Sequence, residues 1–441
     1  MGMNWEKEYQ QKFTTAEDAL NVVKAGDYVS FAYGTEPQAL GLALLSRGVE
    51  VGDIRILVPA PGRDFAWYDP GWENTFQIEI SHVLPITQQM IADKRGDFLV
   101  GGLTWAHAPG IIKQADVILT QLSPPDEHGY CSLGSSLWNR KQAISEARVA
   151  IAEINQNLIR TYGDNFIHFS EIDYFVEHTP SDKKPGTTDM LGRKTSGPGE
   201  REQQISQHVA SLIRDGDCIE IGVGGTAEWL LKLDTFDQKN DLGIHSENLP
   251  PGFVGLVRKG AVTGQRKNIH TGKVVSTACG GSSQEDMDFI NMNPIFELYS
   301  SFYVLDPRTI AAHDSMVAIN SAVAVDLTGQ IAAESIGPRM VSSTGGQLAF
   351  AIGANLSKGG RNITVLTATA QGDAISRILP SLEPGTIVTV PRTLADLVVT
   401  EFGIAHLKGK TQRERAEELI AIAHPKFRDE LKRESRKLFY P

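Results

Sequence analysis

Residues 218–231 read Cys218-Ile-Glu-Ile-Gly222-Val-Gly224-Gly225-Thr-Ala227-Glu-Trp-Leu-Leu231 and carry the strongest architectural signal in the chain. A short apolar run typical of a strand enters a glycine-rich turn, and a helical pattern leaves it. Such a turn points several backbone N–H groups and the positive end of a helix dipole at one place. The segment therefore predicts a parallel α/β unit with a site for a phosphate or a developing oxyanion.

The same turn admits a second interpretation. Gly222-x-Gly224-x-x-Ala227 matches the relaxed dinucleotide-binding fingerprint, which expects an acidic residue about 20 residues later. Glu247, at the end of a strand predicted at Leu242 to His245, fits that place. An NAD-dependent oxidoreductase is therefore one alternative for this chain, and a tight turn without a ligand is another.

Outward from this segment, β-rich runs alternate with helical patterns along the chain, as in parallel α/β proteins. A helix pattern at 201–214 precedes the strand predicted at 218–221, and Thr15 is the predicted N-cap of a helix at 15–23. Other elements follow from the same patterns: strands at 27–32, 54–58, 116–121 and 149–154, and helices at 413–422 and 425–438.

The segment from Glu177 to Glu200 lacks apolar periodicity and is dense in proline, glycine and charge. This composition is typical of a linker, although a long loop within one domain is the alternative. After it, the order helix, strand, turn and helix repeats the beginning of the chain. We therefore predict two similar open α/β domains, residues 1–190 and 191–441.

Composition narrows the class of protein. The 441 residues are 41% hydrophobic and 22% charged, and 42 Lys and Arg against 53 Asp and Glu give a net charge of −11. That charge disfavours nucleic acid as a partner, because it repels phosphate backbones.

Cys131, Cys218 and Cys279 are too few and too scattered for a disulfide framework or a metal cluster. With no apolar leader or membrane span in the sequence, we expect a cytoplasmic protein without a membrane partner.

The segment Asp241-Leu-Gly-Ile-His245-Ser-Glu247-Asn-Leu resembles the acetyl-CoA hydrolase/transferase family of class I CoA-transferases, which includes 4-hydroxybutyrate and butyrate CoA-transferases. Other segments resemble that family in the same order, over nearly the whole chain. They are Gln121-Leu-Ser-Pro-Pro-Asp-Glu-His-Gly-Tyr-Cys-Ser-Leu-Gly134, the turn Ile221 to Gly225, Ala318 to Gln330, Ser343 to Gly360, and Val399 to Pro425.

The resemblance implies a fold, a reaction and a catalytic residue. The fold is two NagB/RpiA/CoA-transferase-like α/β domains with the active site in the cleft between them, and the implied assembly is a homodimer. The reaction moves CoA from an acyl-CoA to a short-chain acid such as acetate, butyrate, 4-hydroxybutyrate or a small dicarboxylate. Glu247 matches the family's catalytic glutamate, which forms an acyl-glutamyl anhydride and then a glutamyl-CoA thioester. Coenzyme A is a substrate, and no bound cofactor or metal is expected.

With an ordinary pKa of about 4.3, Glu247 is expected to be ionised at neutral pH, so it needs no partnering base. Two oxyanion holes are expected, one from the N–H of Val223 and its neighbours and one from Gly346 beside Gly345. The residues predicted to contact CoA come from the glycine turn and from three later segments. They are Gly222, Val223, Gly224, Gly225, Thr226, Asn320, Gly345, Gly346 and Lys358. Asn320 could instead orient the glutamate or cap a turn, and Lys358 could pair with a phosphate or be a loop lysine in water.

The first domain is expected to supply the carboxylic-acid pocket, although each candidate there is more often scaffolding. The candidates are Tyr33-Gly-Thr-Glu-Pro37, Pro59-Ala-Pro-Gly62, His82, Gly102, Thr104 and His107. Asn248 stands where family members often have a hydrophobic residue, which favours a polar or dicarboxylic acid. An acyl-CoA hydrolase on the same fold and a non-catalytic acyl-CoA-binding protein remain alternatives.

Overall fold

The computed structural model describes residues 5–34, 36–100, 114–179, 197–279 and 283–441. Its helices are α1 (Trp5–Gln11), α2 (Ala16–Ala19), α3 (Gln38–Val51), α4 (Gln88–Ala92), α5 (Arg140–Glu146), α6 (Glu200–Leu212), α7 (Gly225–Lys232), α8 (Phe253–Arg258), α9 (Gln284–Ile290), α10 (Ser301–Val304), α11 (Pro307–Ala311), α12 (Gln347–Leu356), α13 (Gln412–Ile422) and α14 (Pro425–Phe439).

The strands, in chain order, are β1 (Tyr28–Phe31), β2 (Ile54–Val58), β3 (Phe76–Ile80), β4 (Asp97–Phe98), β5 (Val117–Leu122), β6 (Tyr130–Ser132), β7 (Val149–Ile154), β8 (Tyr162–Gly163), β9 (Phe166–His168), β10 (Tyr174–Glu177), β11 (Cys218–Ile221), β12 (Gly243–Leu249), β13 (Val274–Cys279), β14 (Phe296–Leu298), β15 (Met316–Ser321), β16 (Ala324–Asp326), β17 (Ile331–Ala332), β18 (Ser335–Ile336), β19 (Arg339–Met340), β20 (Arg361–Val365), β21 (Thr369–Ala370), β22 (Ile375–Ser376), β23 (Ile378–Leu379), β24 (Leu397–Thr400) and β25 (Gly403–His406).

The chain divides into two compact units. Unit one comprises Met1–Arg193 and Thr277–Phe302, and unit two comprises Lys194–Ser276 and Tyr303–Pro441. The predicted domain division at 190/191 stays a prediction, as does the cleft between the domains. Nothing in the sequence indicated that residues 277–302 return to unit one. Of the predicted linker, residues 180–196 lie outside the described part of the chain.

Unit one is built on a parallel sheet with the strand order β10-β7-β5-β1-β2-β3-β4. Its central strands are buried along their whole length, because helices and loops cover both faces of such a sheet. On α3, a Cβ at Gly41 or Gly48 would overlap the ring of Phe65 or Phe76. These glycines let the helix lie close to the aromatic core.

Unit two contains a second sheet, in which β24, β20, β15, β11 and β12 run parallel in that order and β25 pairs antiparallel with β24. The helix α12 packs on β15 and β20, α7 packs on β15, and α13 packs on β24 and β25. An apolar cluster that includes Val325, Leu327, Val398 and Leu419 fills the space beneath α13. In both units the loops after the parallel strands lie at the edge where α/β sheets bind ligands.

The predicted α/β class with parallel sheets is confirmed. The strands at 54–58, 149–154 and 218–221 have the predicted bounds, and others differ by a residue or two. Thr15 caps α2 by accepting the Asp18 N–H, but the helix changes to a 3-10 turn at Leu20–Val22. In the described part of the chain, no helix combines the length and apolar character that a bilayer span requires.

One strand prediction is wrong in a way that matters. The strand expected to end at His245 continues as β12 to Leu249. Glu247, expected at the end of the strand, and Asn248 therefore both lie within it. Apolar periodicity did not predict the end of this strand, because Glu247 and Asn248 are polar and half-buried.

Candidate active site

The carboxylate of Glu247 meets the N-terminus of a helix. Glu247 is half-buried near the carboxyl end of β12, and the backbone N–H of Gly346 donates a hydrogen bond to its carboxylate. Gly346 is the N-cap residue of α12. A Cβ at position 346 would overlap Glu247 Oε2 and come within 2.6 Å of Leu305 Cδ2. Only glycine therefore allows this approach of carboxylate to backbone.

Burial changes the acidity of this carboxyl group. Loss of solvation raises the pKa of Glu247 to about 7, although the Gly346 hydrogen bond acts in the opposite direction. The sequence-based expectation of an ordinary pKa, with full ionisation at neutral pH, is therefore wrong. The ionised form is poorly solvated at this position, which leaves the carboxylate more nucleophilic than one in water.

The glycine turn between β11 and α7 offers several N–H groups. Gly222 and Gly224 donate to the carbonyls of Ile319 and Gly222, both at 2.9 Å. Within the described ranges, no acceptor receives the N–H of Val223, Gly225 or Thr226. These groups stand at the N-terminus of α7, where an anionic oxygen is stabilised.

Two side chains of β15 contact this turn and hold it in place. The Asn320 amide lies so close to Gly222 that a Cβ there would overlap Asn320 Oδ1. Ser321 Oγ accepts the Ala227 N–H at 3.0 Å, and a Cβ at Gly224 would lie 2.7 Å from the Ser321 side chain. The turn is therefore fixed by side chains at the carboxyl end of the neighbouring strand.

Most predicted site residues of the C-terminal half gather at one edge of the unit-two sheet. The strand ends bring together residues from β11, β12 and β15 with the start of α12. Those residues are Gly222, Val223, Gly224, Gly225, Thr226, Glu247, Asn320, Gly345 and Gly346.

Lys358 is not among them. Its carbonyl accepts the Ser315 N–H at the amino end of β15, about 16 Å along the strand from Asn320. Its side chain is exposed and lies 3.5 Å from Asp314. The structure therefore does not bring Lys358 together with the site. The chain runs back along α12, so Lys358 lies at the amino ends of the strands, opposite the site.

The candidates in unit one also lie near the carboxyl ends of strands. Tyr33 Oη lies 2.7 Å from His82 Nδ1, and its ring packs on Trp138 with centroids 4.4 Å apart. The Glu36 carboxylate accepts the Gly62 N–H at 3.1 Å. The other candidates, Thr35, Gly102, Thr104 and His107, lie outside the described residues.

Sequence reasoning missed two residues at the unit-two site. Glu220 is only 2% exposed, and the sequence predicts it as part of the strand before the turn, with no role in the site. Its signal was a charged residue in the otherwise apolar run of β11. Ser321 is the last residue of β15, and a single serine at the end of a strand carries no distinguishing signal.

The topology matches the dinucleotide interpretation, but the expected acidic residue, Glu247, already has a different partner. The elements β11, α7 and β12 form the expected arrangement of strand, turn, helix and strand, and the two strands are parallel. The acidic residue, however, is engaged by the N-terminus of α12 through Gly346. In the described part of the chain, no group of three or more His, Cys, Asp and Glu side chains is arranged to hold a metal ion.

Comparison with known families matches both halves of the chain. The model of the acetyl-CoA hydrolase/transferase N-terminal domain matches residues 97–184, and that of the C-terminal domain matches residues 282–435. Together they cover more than half of the sequence.

Individual relatives match along the entire chain. The 4-hydroxybutyrate coenzyme A transferase of Clostridium kluyveri is 39% identical over 99% of this chain and 100% of its own. The succinyl-CoA:cyclohexane-1-carboxylate CoA transferase of Geobacter metallireducens is 35% identical over 99% of this chain and 97% of its own. Among solved structures, RipA from Yersinia pestis superposes with a TM-score of 0.89 at 32% identity and covers 100% of both chains.

Proposed function

The chain belongs to the acetyl-CoA hydrolase/transferase family, and we propose that it is an acyl-CoA:carboxylate CoA-transferase with Glu247 as the nucleophile. The observation that carries this proposal is the contact between the Glu247 carboxylate and the Gly346 N–H at the start of α12. It holds a poorly solvated carboxylate at the edge of the sheet where the donors of the glycine turn also lie.

The first half-reaction loads CoA onto the enzyme. A carboxylate oxygen of Glu247 attacks the thioester carbonyl, the C–S bond breaks, and CoA leaves as a thiolate while an acyl-glutamyl anhydride forms. The thiolate then attacks the glutamyl carbonyl and breaks the anhydride C–O bond. The donor acid departs as a carboxylate, and Glu247 carries CoA as a glutamyl thioester.

The second half-reaction reverses these steps with another acid. The acceptor carboxylate attacks the glutamyl thioester and expels CoA thiolate, which leaves a new anhydride. The thiolate then attacks the acyl carbonyl, forms the product acyl-CoA and restores the Glu247 carboxylate. Charge balances at each step, so no external proton donor is required.

Each attack develops an oxyanion, and the site offers a donor for each of the two carbonyls. Gly346 N–H already binds the Glu247 carboxylate, so it remains next to the glutamyl carbonyl when that carbonyl is attacked. The N–H groups of Val223, Gly225 and Thr226 are the donors proposed for the substrate acyl oxygen. Loss of one such donor typically costs about 100- to 1,000-fold in rate.

The relatives narrow the substrate class. They are named for 4-hydroxybutyrate, and for succinyl-CoA with a cyclic carboxylate. For this chain we propose short-chain acids, with acetate, butyrate, 4-hydroxybutyrate and small dicarboxylates as the first to assay. The homodimer and the cytoplasmic location stay predictions.

The test measures CoA transfer and thiol release in parallel. Purified protein receives an acyl-CoA with or without acetate, and the products are quantified together with the intact mass of the protein. A transferase requires acetate for turnover and accumulates a CoA adduct without it. Thiol release at full rate without an acceptor would instead identify an acyl-CoA hydrolase.

The matched variants are Glu247→Gln and Glu430→Gln. Glu430 is an exposed glutamate of α14, so its substitution controls for the loss of one carboxylate. We expect the adduct in the wild type and in Glu430→Gln and none in Glu247→Gln. Adduct formation and turnover that survive Glu247→Gln would refute the assignment of the nucleophile.

A further inference from the structure

A second carboxyl group lies on the strand next to that of Glu247. Glu220 occupies β11, a strand buried on every side, and is 2% exposed. Its Oε2 accepts a hydrogen bond from Asn320 Nδ2 at 2.9 Å. Within the described part of the chain, no Lys, Arg or His side chain forms an ion pair with Glu220. A buried carboxyl group with no cation beside it favours its neutral form, unless several hydrogen-bond donors stabilise the charge.

The hydrogen bond from Asn320 to Glu220 determines which way the amide points. Because Nδ2 faces Glu220, Oδ1 faces Gly222, where it leaves no room for a Cβ. Asn320 therefore connects the buried carboxyl group to the first residue of the glycine turn. Without Glu220 the amide is free to rotate, and the contact with Gly222 is no longer fixed.

The charges around Glu220 support the neutral form. On β12, the strand next to β11, Glu247 and His245 are the titratable groups, and His245 is fully buried against His313. The strand β15 contributes the uncharged Asn320, α12 has no charged residue, and α7 carries Glu228 and Lys232.

Burial and then the negative charge of Glu247 hold the pKa of Glu220 well above its ordinary value. Two neighbouring carboxyl groups in a poorly solvated site carry one charge more easily than two. In this pair the charge belongs on the partly exposed Glu247, and the proton belongs on the buried Glu220.

We propose that Glu220 is a positioning residue that works as a neutral acid: it fixes the Asn320 amide against Gly222 and so holds the glycine turn in place for the reacting acyl group. The inference rests on the proposed function, because it concerns the same site. It assigns Glu220 no bond to the substrate and no proton transfer during the reaction.

The first test compares Glu220→Gln with Glu220→Ala. Glutamine retains an oxygen for Asn320 Nδ2 and is always neutral, so we expect kcat within about threefold of the wild type and an acid limb of the pH profile within about 0.3 pH unit. Alanine releases the amide, so kcat should fall about 10- to 100-fold. An acid limb that moves to lower pH in Glu220→Gln would show that Glu220 is ionised in the working enzyme and would overturn the proposal.

The second test is a double-mutant cycle with Asn320→Ala. If Glu220 acts through Asn320, adding Glu220→Ala to Asn320→Ala changes kcat less than about twofold. Effects that multiply instead show that Glu220 acts by another route and contradict the proposal. The control is Asn362→Ala, which removes another buried amide of unit two, on β20, and should leave kcat unchanged.

The failure of this inference differs from failure of the proposed function. In every variant, the CoA adduct on Glu247 is measured alongside kcat. An absent wild-type adduct counts against the proposed function itself. A normal wild-type adduct together with an unaffected Glu220→Ala variant counts only against the role of Glu220. If Glu220→Ala does not fold, the pH profile of Glu220→Gln still decides the question.

Discussion

Glu153 in unit one and Glu247 in unit two occupy similar positions in their sheets. Each lies near the carboxyl end of a parallel strand and places its carboxylate at the first turn of a helix. Glu153 is fully buried and accepts the N–H groups of Gln38, Ala39 and Leu40 and the Gln121 amide. Glu247 is half-buried, and Gly346 is the backbone donor that reaches it.

The difference lies in how fully each carboxylate is hydrogen-bonded. Four donors occupy the lone pairs of Glu153, so that glutamate serves as the cap of α3. Glu247 keeps an oxygen for chemistry, because the glycine at position 346 brings one N–H and no side chain to it. A glutamate at a helix N-terminus therefore stabilises the fold when donors occupy both of its oxygens. It can be reactive when one oxygen is left without a donor.

The largest effect is expected from Glu247→Gln. The amide is not a nucleophile toward a thioester, so kcat should fall on the order of 10,000-fold or more. Steady-state transfer assays with acyl-CoA and acetate measure this loss. Residual transfer near the wild-type rate in a homogeneous preparation would place the reactive carboxylate elsewhere.

Gly346→Ala should have the next largest effect. The added Cβ overlaps Glu247 Oε2 and Leu305, so the carboxylate must leave the Gly346 N–H. We expect a loss in kcat of about 100- to 1,000-fold. Gly255→Ala in α8 is the control, because a Cβ there meets open space and its activity should be unchanged. Equal activity of the two variants would contradict the assigned contact.

Glu153→Gln should affect stability and leave the chemistry intact. The side-chain NH₂ of glutamine cannot accept from the first turn of α3, so the free energy of unfolding should fall by about 1–2 kcal/mol. Thermal unfolding measures the loss, while kcat of the folded protein should stay within about twofold of the wild type. A loss of kcat with unchanged stability would show that Glu153 does more than cap the helix.

A smaller effect concerns the stability of Glu247→Gln. The pKa of Glu247 is about 7 in the folded protein and near 4.3 in the unfolded chain, so the folded state binds more protons between these values. Wild-type stability therefore falls as pH rises through this window, and the penalty is complete above pH 7. Glu247→Gln should melt at a higher temperature than the wild type at pH 8 and show little gain at pH 4. Equal melting temperatures at pH 8 would contradict the raised pKa.

Much of the fold could be predicted because local patterns specify it. Both faces of a central parallel strand are buried, so 54–58, 149–154 and 218–221 appear in the sequence as short apolar runs with clear ends. The end of β12 was missed because Glu247 and Asn248 interrupt the apolar run. The return of 277–302 to unit one depends on long-range packing, for which a local pattern carries no information.

The site was predicted in part for similar reasons. Resemblance to a family placed Glu247 and the glycine segments, and the structure brings them to one edge of a sheet. The pKa of Glu247 and the importance of Glu220 depend on burial, which one sequence does not specify. Lys358 was predicted to contact CoA because its charge could pair with a phosphate, yet α12 carries the chain to the opposite end of the strands.

The central claim is that Glu247 is a nucleophile whose reactivity follows from a partly satisfied, poorly solvated carboxylate. The most direct measurement is peptide mapping of the adduct, formed with acyl-CoA alone and reduced with borohydride, at a series of pH values from 5 to 9. We predict that the modification maps to Glu247 and that its initial rate rises with a midpoint near pH 7. Modification of a different residue, or a midpoint at the ordinary glutamate value of about 4.3, would contradict the claim.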